Sequence, residues 1–373
     1  MNHSFFHLSL SRYLSDSPFV SMSHYKKSII TFDGMFLSFF SCPLIRHIRS
    51  SDLRIRNSVF SRYIGSKTML NFNSHQIISS VPTIRVLYLI SNTIFKDFPP
   101  SSFQILNIND ASAELMIKGT SFVRIHSQAN LNCVHAEKAY NVTLLNVCFE
   151  NCSSLQTFFG VAAHFNNIPF STINYTTQLF LNSSHSIYYG GRTKLSTYYN
   201  NVSNSLSRAH RVGLCILNSA EGEVGGYISV SNNIGASLIQ LSTSTTTTIH
   251  HINIYNNTLS GNRWFDFYQT TTYFRFCECV IICNTKTTSW IGVYYGESTI
   301  FLIDCIFDHH PDPADPKIVL SNEINGSLIN LHPLQIASMQ CWREKTLDLC
   351  FTGQNNRQYS FPIVFLQMAL FSP

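Results

Sequence analysis

The residues that could carry chemistry in this sequence cluster near its C-terminal third. Cys277, Cys279 and Cys283 share the parity of one strand, and Cys305 follows about one repeat later. Thiolates at such positions could hold a metal ion. The group has no Cys-x-x-Cys spacing and no convergent histidine, so the sequence favours a buried row of cysteines, in which a free thiol behaves as a small hydrophobic side chain.

A second candidate site is the polar segment that begins at Asp304. It gathers four acids and two histidines: Asp304, Asp308, His309, His310, Asp312 and Asp315. Carboxylate oxygens are the ligands that Ca²⁺ prefers. Asp304 and Asp308 lie in or beside a strand, however, and three prolines hold the rest of the segment extended. We therefore interpret it as a polar loop, with calcium binding as the alternative.

A carbohydrate-active site is the third candidate, because Arg263 and Asp266 flank Trp264 and Phe265. Such aromatic side chains could stack on a sugar, or they could pack at the edge of a repeat, which is the interpretation we favour. Enzymes that hydrolyse polysaccharides need paired carboxylates facing one groove, and only 20 Asp and Glu occur in 373 residues. We find no phosphate loop, nucleophile elbow or H-E-x-x-H motif. The sequence thus assigns no catalytic, cofactor-binding or metal-ligating residue and no cofactor, and it favours a protein that is not an enzyme.

Charge gives little indication of a partner. Charged residues make up 12% of the chain and the net charge is +5, against roughly 25% charged residues in an average globular protein. The basic residues lean towards the N-terminus: Lys26, Lys27, Arg46, Arg49, Arg54, Arg56 and Arg62. They could form a membrane-surface or nucleic-acid patch, but no block of five or six like charges occurs. We predict a solvated end of the molecule and no nucleic-acid partner.

These candidate sites sit in a chain that repeats. Strand-like segments with alternating apolar residues end in four equivalent phenylalanines, Phe60, Phe95, Phe122 and Phe149, spaced by 35, 27 and 27 residues. The longer first interval predicts an insertion around residues 66–80. Alternation at period 2 places apolar residues on one face of a strand.

The later repeats are related to one another in the same way. Leu259, Ile282 and Phe307 occupy equivalent positions in three similar segments, 23 and 25 residues apart. Asparagine pairs recur at Asn200–Asn201, Asn232–Asn233 and Asn256–Asn257. Asparagine tolerates left-handed backbone geometry, so each pair is predicted to form a tight corner between strands.

This period predicts an all-β protein, a right-handed parallel β-helix with coils of about 22–27 residues and three short strands per coil. No convincing amphipathic helix occurs, which disfavours leucine-rich repeats, and propeller blades need roughly 40 residues each. We predict an irregular N-terminal cap over residues 1–50, the β-helix over 51–345 and a C-terminal tail over 346–373. We also expect Phe149 and Phe307 to be core anchors, and four cysteines to be buried or partly buried: Cys148, Cys277, Cys279 and Cys305.

Four repeat cores carry a resemblance to a known family. They are LLNVCFENCSS, YISVSNNIGAS, FCECVIICNTKT and LIDCIFDHH, within roughly residues 50–345. The chain resembles the pectate-lyase-like parallel β-helix superfamily, and within it the protist surface proteins with polymorphic-outer-membrane-protein-like repeats. In such relatives a cysteine-containing segment closes the β-helix, and a stalk and a membrane helix follow. Residues 331–346 resemble that closing segment, whereas residues 347–373 resemble neither stalk nor helix.

The resemblance implies a non-enzymatic scaffold at the cell surface or outside the cell, which presents side chains for adhesion. Its expected partners are carbohydrate or a host or cell-surface protein. Asn-x-Ser/Thr sequons permit secretion, but the sequence has no clear signal peptide, and no stretch reaches the ~20 apolar residues of a membrane-spanning helix. Two alternatives stay open: a polysaccharide lyase or glycoside hydrolase on the same fold, and a truncated remnant of a membrane-anchored surface protein.

Overall fold

A computed structural model describes most of the first 321 residues. The described residues are 2–14, 17–21, 29–46, 51–65, 68–73, 85–100, 104–127, 133–154, 160–179, 181, 185–190, 194–198, 200–206, 211–219, 228–235, 237–243, 246–259, 265–267, 273–282, 291–293, 299–307 and 318–321. Within these ranges the regular structure consists of strands, and no helix occurs. Every strand pairing is parallel between successive coils, so the prediction of an all-β parallel β-helix is confirmed.

Each coil contributes strands to three ladders that run along the axis of the solenoid. Ladder one contains Asn2–Phe6, Ile29–Asp33, Asp52–Arg56, Val86–Ser91, the first parts of Ala113–Ser127 and Asn141–Glu150, Phe170–Asn174, Lys194–Tyr198, Thr247–His250, Tyr273–Cys277, Thr299–Ile303 and Ile318–Ser321. Ladder two contains Ser9–Ser11, Phe36–Phe40, Val59–Tyr63, Ile94–Phe98, the later parts of Ala113–Ser127 and Asn141–Glu150, Thr177–Leu179, Asn200–Ser203, Ile228–Ser231, Ile252–Tyr255, Val280–Ile282 and Ile306–Phe307.

Ladder three is the eleven-stranded sheet on the remaining side of the coils. It contains Val20–Ser21, Ile45–Arg46, Leu70–Asn73, Leu106–Asn109, Val134–Glu137, Gly160–Asn166, His185–Gly190, Arg211–Ser219, Ser237–Thr243, Phe265–Phe267 and Ile291–Val293. Short additional pairs extend the stack beyond ladder two: Ser153–Ser154 on the end of Ala113–Ser127, and Ile234–Gly235 on Thr258–Leu259.

The solenoid includes the segment that the sequence had suggested to be an irregular cap. Asn2–Phe6 pairs with Ile29–Asp33, which pairs with Asp52–Arg56 in the same register as later coils. Weak periodicity in residues 1–50 therefore did not reflect irregular structure. The C-terminal tail predicted over 346–373 lies outside the described residues.

The strand register confirms one of the two predicted repeat alignments. Phe60, Phe95, Phe122 and Phe149 are paired in succession, as predicted. The insertion falls after Asn73, because Leu70 still pairs with Leu106 while the next described strand begins at Val86.

The alignment of Leu259 with Ile282 and Phe307 was wrong. Ile281 pairs with both Ile254 and Phe307, whereas Leu259 lies beyond the next corner and pairs with Gly235. Ile282 was displaced by one residue, because adjacent apolar residues such as Ile281 and Ile282 give two acceptable alternations. Leu259 was displaced further, because it belongs to the short strand after the corner at Asn256.

Tight corners with left-handed backbone geometry separate the ladders. Corner one, between ladders one and two, has positive φ angles at residues such as Asn57, Asn92 and Asn146; corner two, after ladder two, has them at Asn232 and Asn256. The predicted corners at Asn232–Asn233 and Asn256–Asn257 are therefore confirmed. The pair Asn200–Asn201 was misplaced.

Asn200 and Asn201 begin a strand of ladder two and pair with Ile228 and Ser229. The residue that occupies the left-handed corner of that coil is Asn204, with φ 52°. The sequence pattern thus identified the correct residue type in the wrong corner.

Stacked phenylalanine rings fill the interior next to ladder two. The rings of Phe60, Phe95, Phe122 and Phe149 follow one another with centroids 5.3, 5.1 and 5.0 Å apart and interplanar angles of 16°, 10° and 9°. All four side chains are fully buried. The expectation for Phe149 is confirmed, while the side chain of Phe307 lies outside the described part of the chain.

Buried asparagines satisfy the backbone inside corner two. Asn233 Oδ1 accepts from Ser205 N at 2.9 Å, and Asn233 Nδ2 donates to Val202 O and to Asn257 Oδ1, both at 3.0 Å. Asn257 Oδ1 also accepts from Asn233 N at 3.0 Å. Each amide thus links its own coil to its neighbours, in an interior from which water is excluded.

We expect Phe149→Ala to lower the free energy of unfolding by roughly 3–5 kcal/mol, the range for a buried phenylalanine. Because a solenoid is held by contacts between adjacent coils, the loss should also open the middle of the chain to limited proteolysis. The control is Phe170→Ala, whose ring is 45% exposed; it should cost less than about 1 kcal/mol. Equal melting of Phe149→Ala and the parent would contradict the proposed core.

Asn233→Ala should destabilise the fold by roughly 2–5 kcal/mol, because it leaves several buried partners without a hydrogen bond. Chemical denaturation measures this difference. Asn232→Gly is the matched control: Asn232 is exposed and has φ 54°, a geometry that glycine adopts easily, so its effect should stay within about 0.5 kcal/mol. If the two substitutions cost the same, the buried amide row does not hold the corner.

Candidate functional site

A row of polar side chains lies on the outer surface of ladder three. Asn71 pairs with Asn107, Asn107 with His135, and His135 with His164, so the four residues are stacked on successive coils. Residues on either side of each, such as Leu106 and Ile108, are buried in the interior. Alternation along the strand therefore directs the polar residues outward.

A parallel row lies two residues further along the same strands. With the first row it forms what we call the polar face: Asn71, Asn107, Asn109, His135, Glu137, His164 and Asn166. All of these side chains are partly exposed except that of His164, which is 8% exposed. Successive coils repeat at ~4.8 Å, so the face presents a hydrogen-bonding group at each step along the solenoid.

Contacts between coils hold these side chains in position. Asn107 Nδ2 donates to Asn71 Oδ1 at 3.1 Å. The rings of His135 and His164 lie 4.9 Å apart in an edge-to-face arrangement. An amide hydrogen-bonded to its neighbour loses side-chain freedom before any ligand arrives, which lowers the entropy cost of binding.

Burial controls the protonation of His135. Desolvation lowers the pKa of its imidazole, and the nearby charge of Glu137 raises it by less. His135 is thus a neutral donor and acceptor at pH 7. Glu137 is the single carboxylate among the seven residues of the polar face. This face therefore does not present the pair of carboxylates on which glycoside hydrolysis depends.

The cysteines form a buried row instead of a site on the surface. Cys279 and Cys305 are each 1% exposed and follow one another on successive coils, since Val280 pairs with Ile306. Cys277 is partly exposed, and Cys148 is 5% exposed and disulfide-bonded. The predicted burial of these four cysteines is confirmed, and Cys283 lies outside the described residues.

The pKa values of the two buried thiols are shifted in opposite directions. Burial raises the pKa of Cys279. The hydrogen bond from Cys279 lowers the pKa of Cys305, against the opposing effect of burial. The described part of the chain contains no group of three or more His, Cys, Asp or Glu side chains placed to hold a metal ion.

The other two candidates are only partly described. Asp304 is a left-handed corner residue with φ 53°, and its N–H donates to Ser321 O at 3.0 Å; the remaining acids and both histidines of that segment lie outside the described residues. In the carbohydrate-site candidate, Arg263 and Trp264 also lie outside the described residues. Phe265 is 1% exposed and packs against Phe276 at 5.0 Å, so it belongs to the core, as favoured above.

The four described basic residues of the predicted N-terminal group do not form one patch. Arg54 and Arg56 belong to ladder one, Arg62 to corner two and Arg46 to ladder three. Lys26, Lys27 and Arg49 lie outside the described residues. Proximity along the sequence was therefore a poor guide to proximity in the fold.

Sequence reasoning missed the polar face altogether. Its members are spaced by 36, 28 and 29 positions, because Asn71 pairs with Asn107, Asn107 with His135 and His135 with His164. A signal was present in the strand segments LNFN, LNIN, VHAE and AHFN, which repeat one apolar–polar pattern. These segments could be recognised as equivalent only after the longer coil had been placed.

Comparisons with family models, with curated proteins and with solved structures found no match to this chain. The fold and the geometry of its surfaces therefore carry the functional argument: the chain is a parallel β-solenoid with a polar face on ladder three. Among the residues that the structure describes, no helix is long and apolar enough to cross a membrane.

Acidification should destabilise the protein through His135. Its folded-state pKa is lowered below 6.5, so as the pH falls through 6.5 the unfolded chain binds a proton that the folded chain resists. Stability should therefore fall between about pH 7.5 and pH 5, and less so in His135→Asn, which retains a row of amides. His126, whose pKa is also lowered, is unchanged in that variant. Nuclear magnetic resonance titration of the ring measures the shift directly; a pKa of His135 above 6.5 would contradict this account.

Proposed function

We propose that the protein is a non-enzymatic β-helix scaffold, a secreted or surface binding protein that holds carbohydrate along its polar face. The observation that carries the proposal is the alignment of Asn71, Asn107, His135 and His164 on successive coils. The partly exposed members Asn71, Asn107 and His135 offer an extended ligand the same type of contact on three successive coils.

Carbohydrate is favoured over a protein partner by the chemistry of the row. Amide and neutral imidazole groups each combine a hydrogen-bond donor with an acceptor. The hydroxyl groups of a sugar also donate and accept, so the two kinds of group can pair. Protein interfaces, in contrast, are typically centred on buried aromatic and arginine side chains. The polar face has none of these among its described members.

An enzyme that acts on polysaccharide is the alternative function. Two features weigh against it: the polar face holds one carboxylate, Glu137, and the partly exposed His135 has a lowered pKa and is neutral at pH 7. A lyase would instead place a basic side chain close to acidic Ca²⁺ ligands. The hypotheses of a membrane-anchored relative and of an extracellular location rest on the family resemblance alone.

Binding of neutral glycans without turnover is the direct test. Purified protein is screened against neutral plant, fungal and algal oligosaccharides on an array, and the best binder is measured by calorimetry. The double variant Asn107→Ala/His135→Ala should weaken binding by roughly 5- to 150-fold, because each lost hydrogen bond is worth roughly 0.5–1.5 kcal/mol. Thr143→Ala, a half-buried outward residue of ladder one, should bind like the parent.

Three results would count against the proposal. Neutral glycans could fail to bind, or the double variant could bind as the parent does, which would remove the polar face from consideration. Release of new reducing ends or of unsaturated sugars during incubation would favour the enzyme.

A further inference from the structure

A second row of exposed side chains runs along corner two, apart from ladder three. Five residues occupy the left-handed position of successive coils and form what we call the arginine row: Arg12, Phe39, Arg62, Asp97 and Arg124. The alignment follows from the strands on either side. Ser11 pairs with Ser38, Phe40 with Tyr63, and Phe98 with Ile125.

The three arginines recur on every second coil. Since successive coils are ~4.8 Å apart, Arg12, Arg62 and Arg124 are spaced by about 10 Å along the axis. All three side chains are exposed. Sequence separations of 50 and 62 residues hid this arrangement, which depends on the register of the intervening coils.

The residues between the arginines help to orient them. The Arg62 guanidinium carbon lies 5.9 Å from the centre of the Phe39 ring, and that ring is 42% exposed. Arg124 Nε donates to Asp97 Oδ1 at 2.5 Å, in an exposed ion pair. The row thus carries three positive charges and one negative charge.

Backbone geometry indicates that the corner itself does not require arginine at these positions. Arg12, Arg62 and Arg124 have φ angles of 59°, 54° and 54°, a region that is unfavourable for most residues and in which asparagine is enriched. Later coils do place asparagine at this corner: Asn151, Asn204, Asn232 and Asn256. Strained positions that persist are a reason to look for a function, and here the outward-facing guanidinium groups supply one.

Apolar side chains flank the row. Leu14 and Ile64 lie two residues after Arg12 and Arg62, and they are 65% and 36% exposed. Phe39 places apolar surface beside the Arg62 guanidinium, and Leu14 and Ile64 add exposed apolar side chains close to Arg12 and Arg62 in the sequence. Sugar rings have C–H faces that pack on such surface, while their acidic substituents pair with arginine.

We propose that the arginine row binds an anionic polysaccharide, a chain whose sugars carry carboxylate or sulfate groups. Charges on every second sugar suit cations placed on every second coil. A nucleic acid fits less well, because each strand of a duplex carries a charge roughly every 3.4 Å, a spacing far denser than that of the arginines. This site is distinct from the polar face, so the two can be disabled separately.

The experiment measures binding to hyaluronan, a polysaccharide with one carboxylate on every second sugar, with uncharged dextran and single-stranded DNA as comparison ligands. The triple variant Arg12→Gln/Arg62→Gln/Arg124→Gln should bind at least about tenfold more weakly, because it removes all three positive charges of the row, each of which contributes modestly at an exposed site. The triple variant with lysine at the same positions retains the charges and should keep most of the affinity. Added salt should weaken binding of the parent by screening.

A matched control removes the same charge elsewhere. Arg56→Gln/Lys118→Gln/Arg275→Gln alters three cations of ladder one and should stay within about threefold of the parent, since exposed charges beyond a Debye length contribute little. Asp97→Asn should strengthen binding several-fold, a gain that misfolding could not produce.

Each other outcome overturns the proposal. Unchanged binding by the glutamine triple variant excludes the arginine row. An equal loss in the ladder-one control indicates non-specific attraction to net charge, and tighter, arginine-dependent binding of the DNA indicates a nucleic-acid surface. The glutamine triple variant should still bind any neutral glycan recognised by the polar face, so failure here and failure of the proposed function can be told apart.

Discussion

One short hydrogen bond recurs at the corners, and the solenoid depends on it. At these corners one residue has left-handed backbone geometry. The side chain of the next residue donates a hydrogen bond to the carbonyl oxygen of the residue before the left-handed one. Ser58 Oγ donates to Arg56 O at 2.6 Å, Thr93 Oγ1 to Ser91 O at 2.9 Å and Cys305 Sγ to Ile303 O at 3.3 Å. Those carbonyls also accept from the backbone of the neighbouring coil, since Gly34 N donates to Arg56 O and Asn57 N to Ser91 O, both at 3.1 Å. Such corner side chains also accept from an N–H of the coil before: Met35 N donates to Ser58 Oγ at 3.1 Å and Ser205 N to Asn233 Oδ1 at 2.9 Å. Buried backbone groups must be paired, and at the corners polar side chains complete the pairing that the strand ladders provide elsewhere.

This constraint explains why the interior is not purely apolar and why the exterior is ordered. Serine, threonine, asparagine and cysteine are needed inside the corners, while phenylalanine stacks fill the space between the ladders. Because the described coils share the same geometry, their outward residues are aligned as well, and polar residues on successive coils form rows along the solenoid. The polar face and the arginine row are both products of this alignment; neither needs a specialised loop or a cofactor.

The sequence predicted the fold class and the ladder of Phe60, Phe95, Phe122 and Phe149, because a large buried ring at constant spacing leaves a clear signal. It predicted the burial of Cys279 and Cys305 for the same reason. It failed where the local pattern permits two registers, as at Ile281 and Ile282, and where a corner residue type also suits a strand, as at Asn200. The outward rows were missed, since the coils between their members differ in length and equivalent positions become visible only once the register of the longer coil is known.

The register of the coils is the central claim, and a distance along the axis tests it most directly. Seven strand-to-strand steps of ladder two separate Val59–Tyr63 from Ile252–Tyr255. Spin labels carried by non-canonical amino acids replace Ile64 and Thr258, which are exposed just after corner two, and pulsed electron paramagnetic resonance measures their separation. The stack predicts one well-defined distance of about 34 Å, seven times the ~4.8 Å coil spacing. A broad distribution without a peak, or a peak below about 25 Å, would contradict this stack of eight coils.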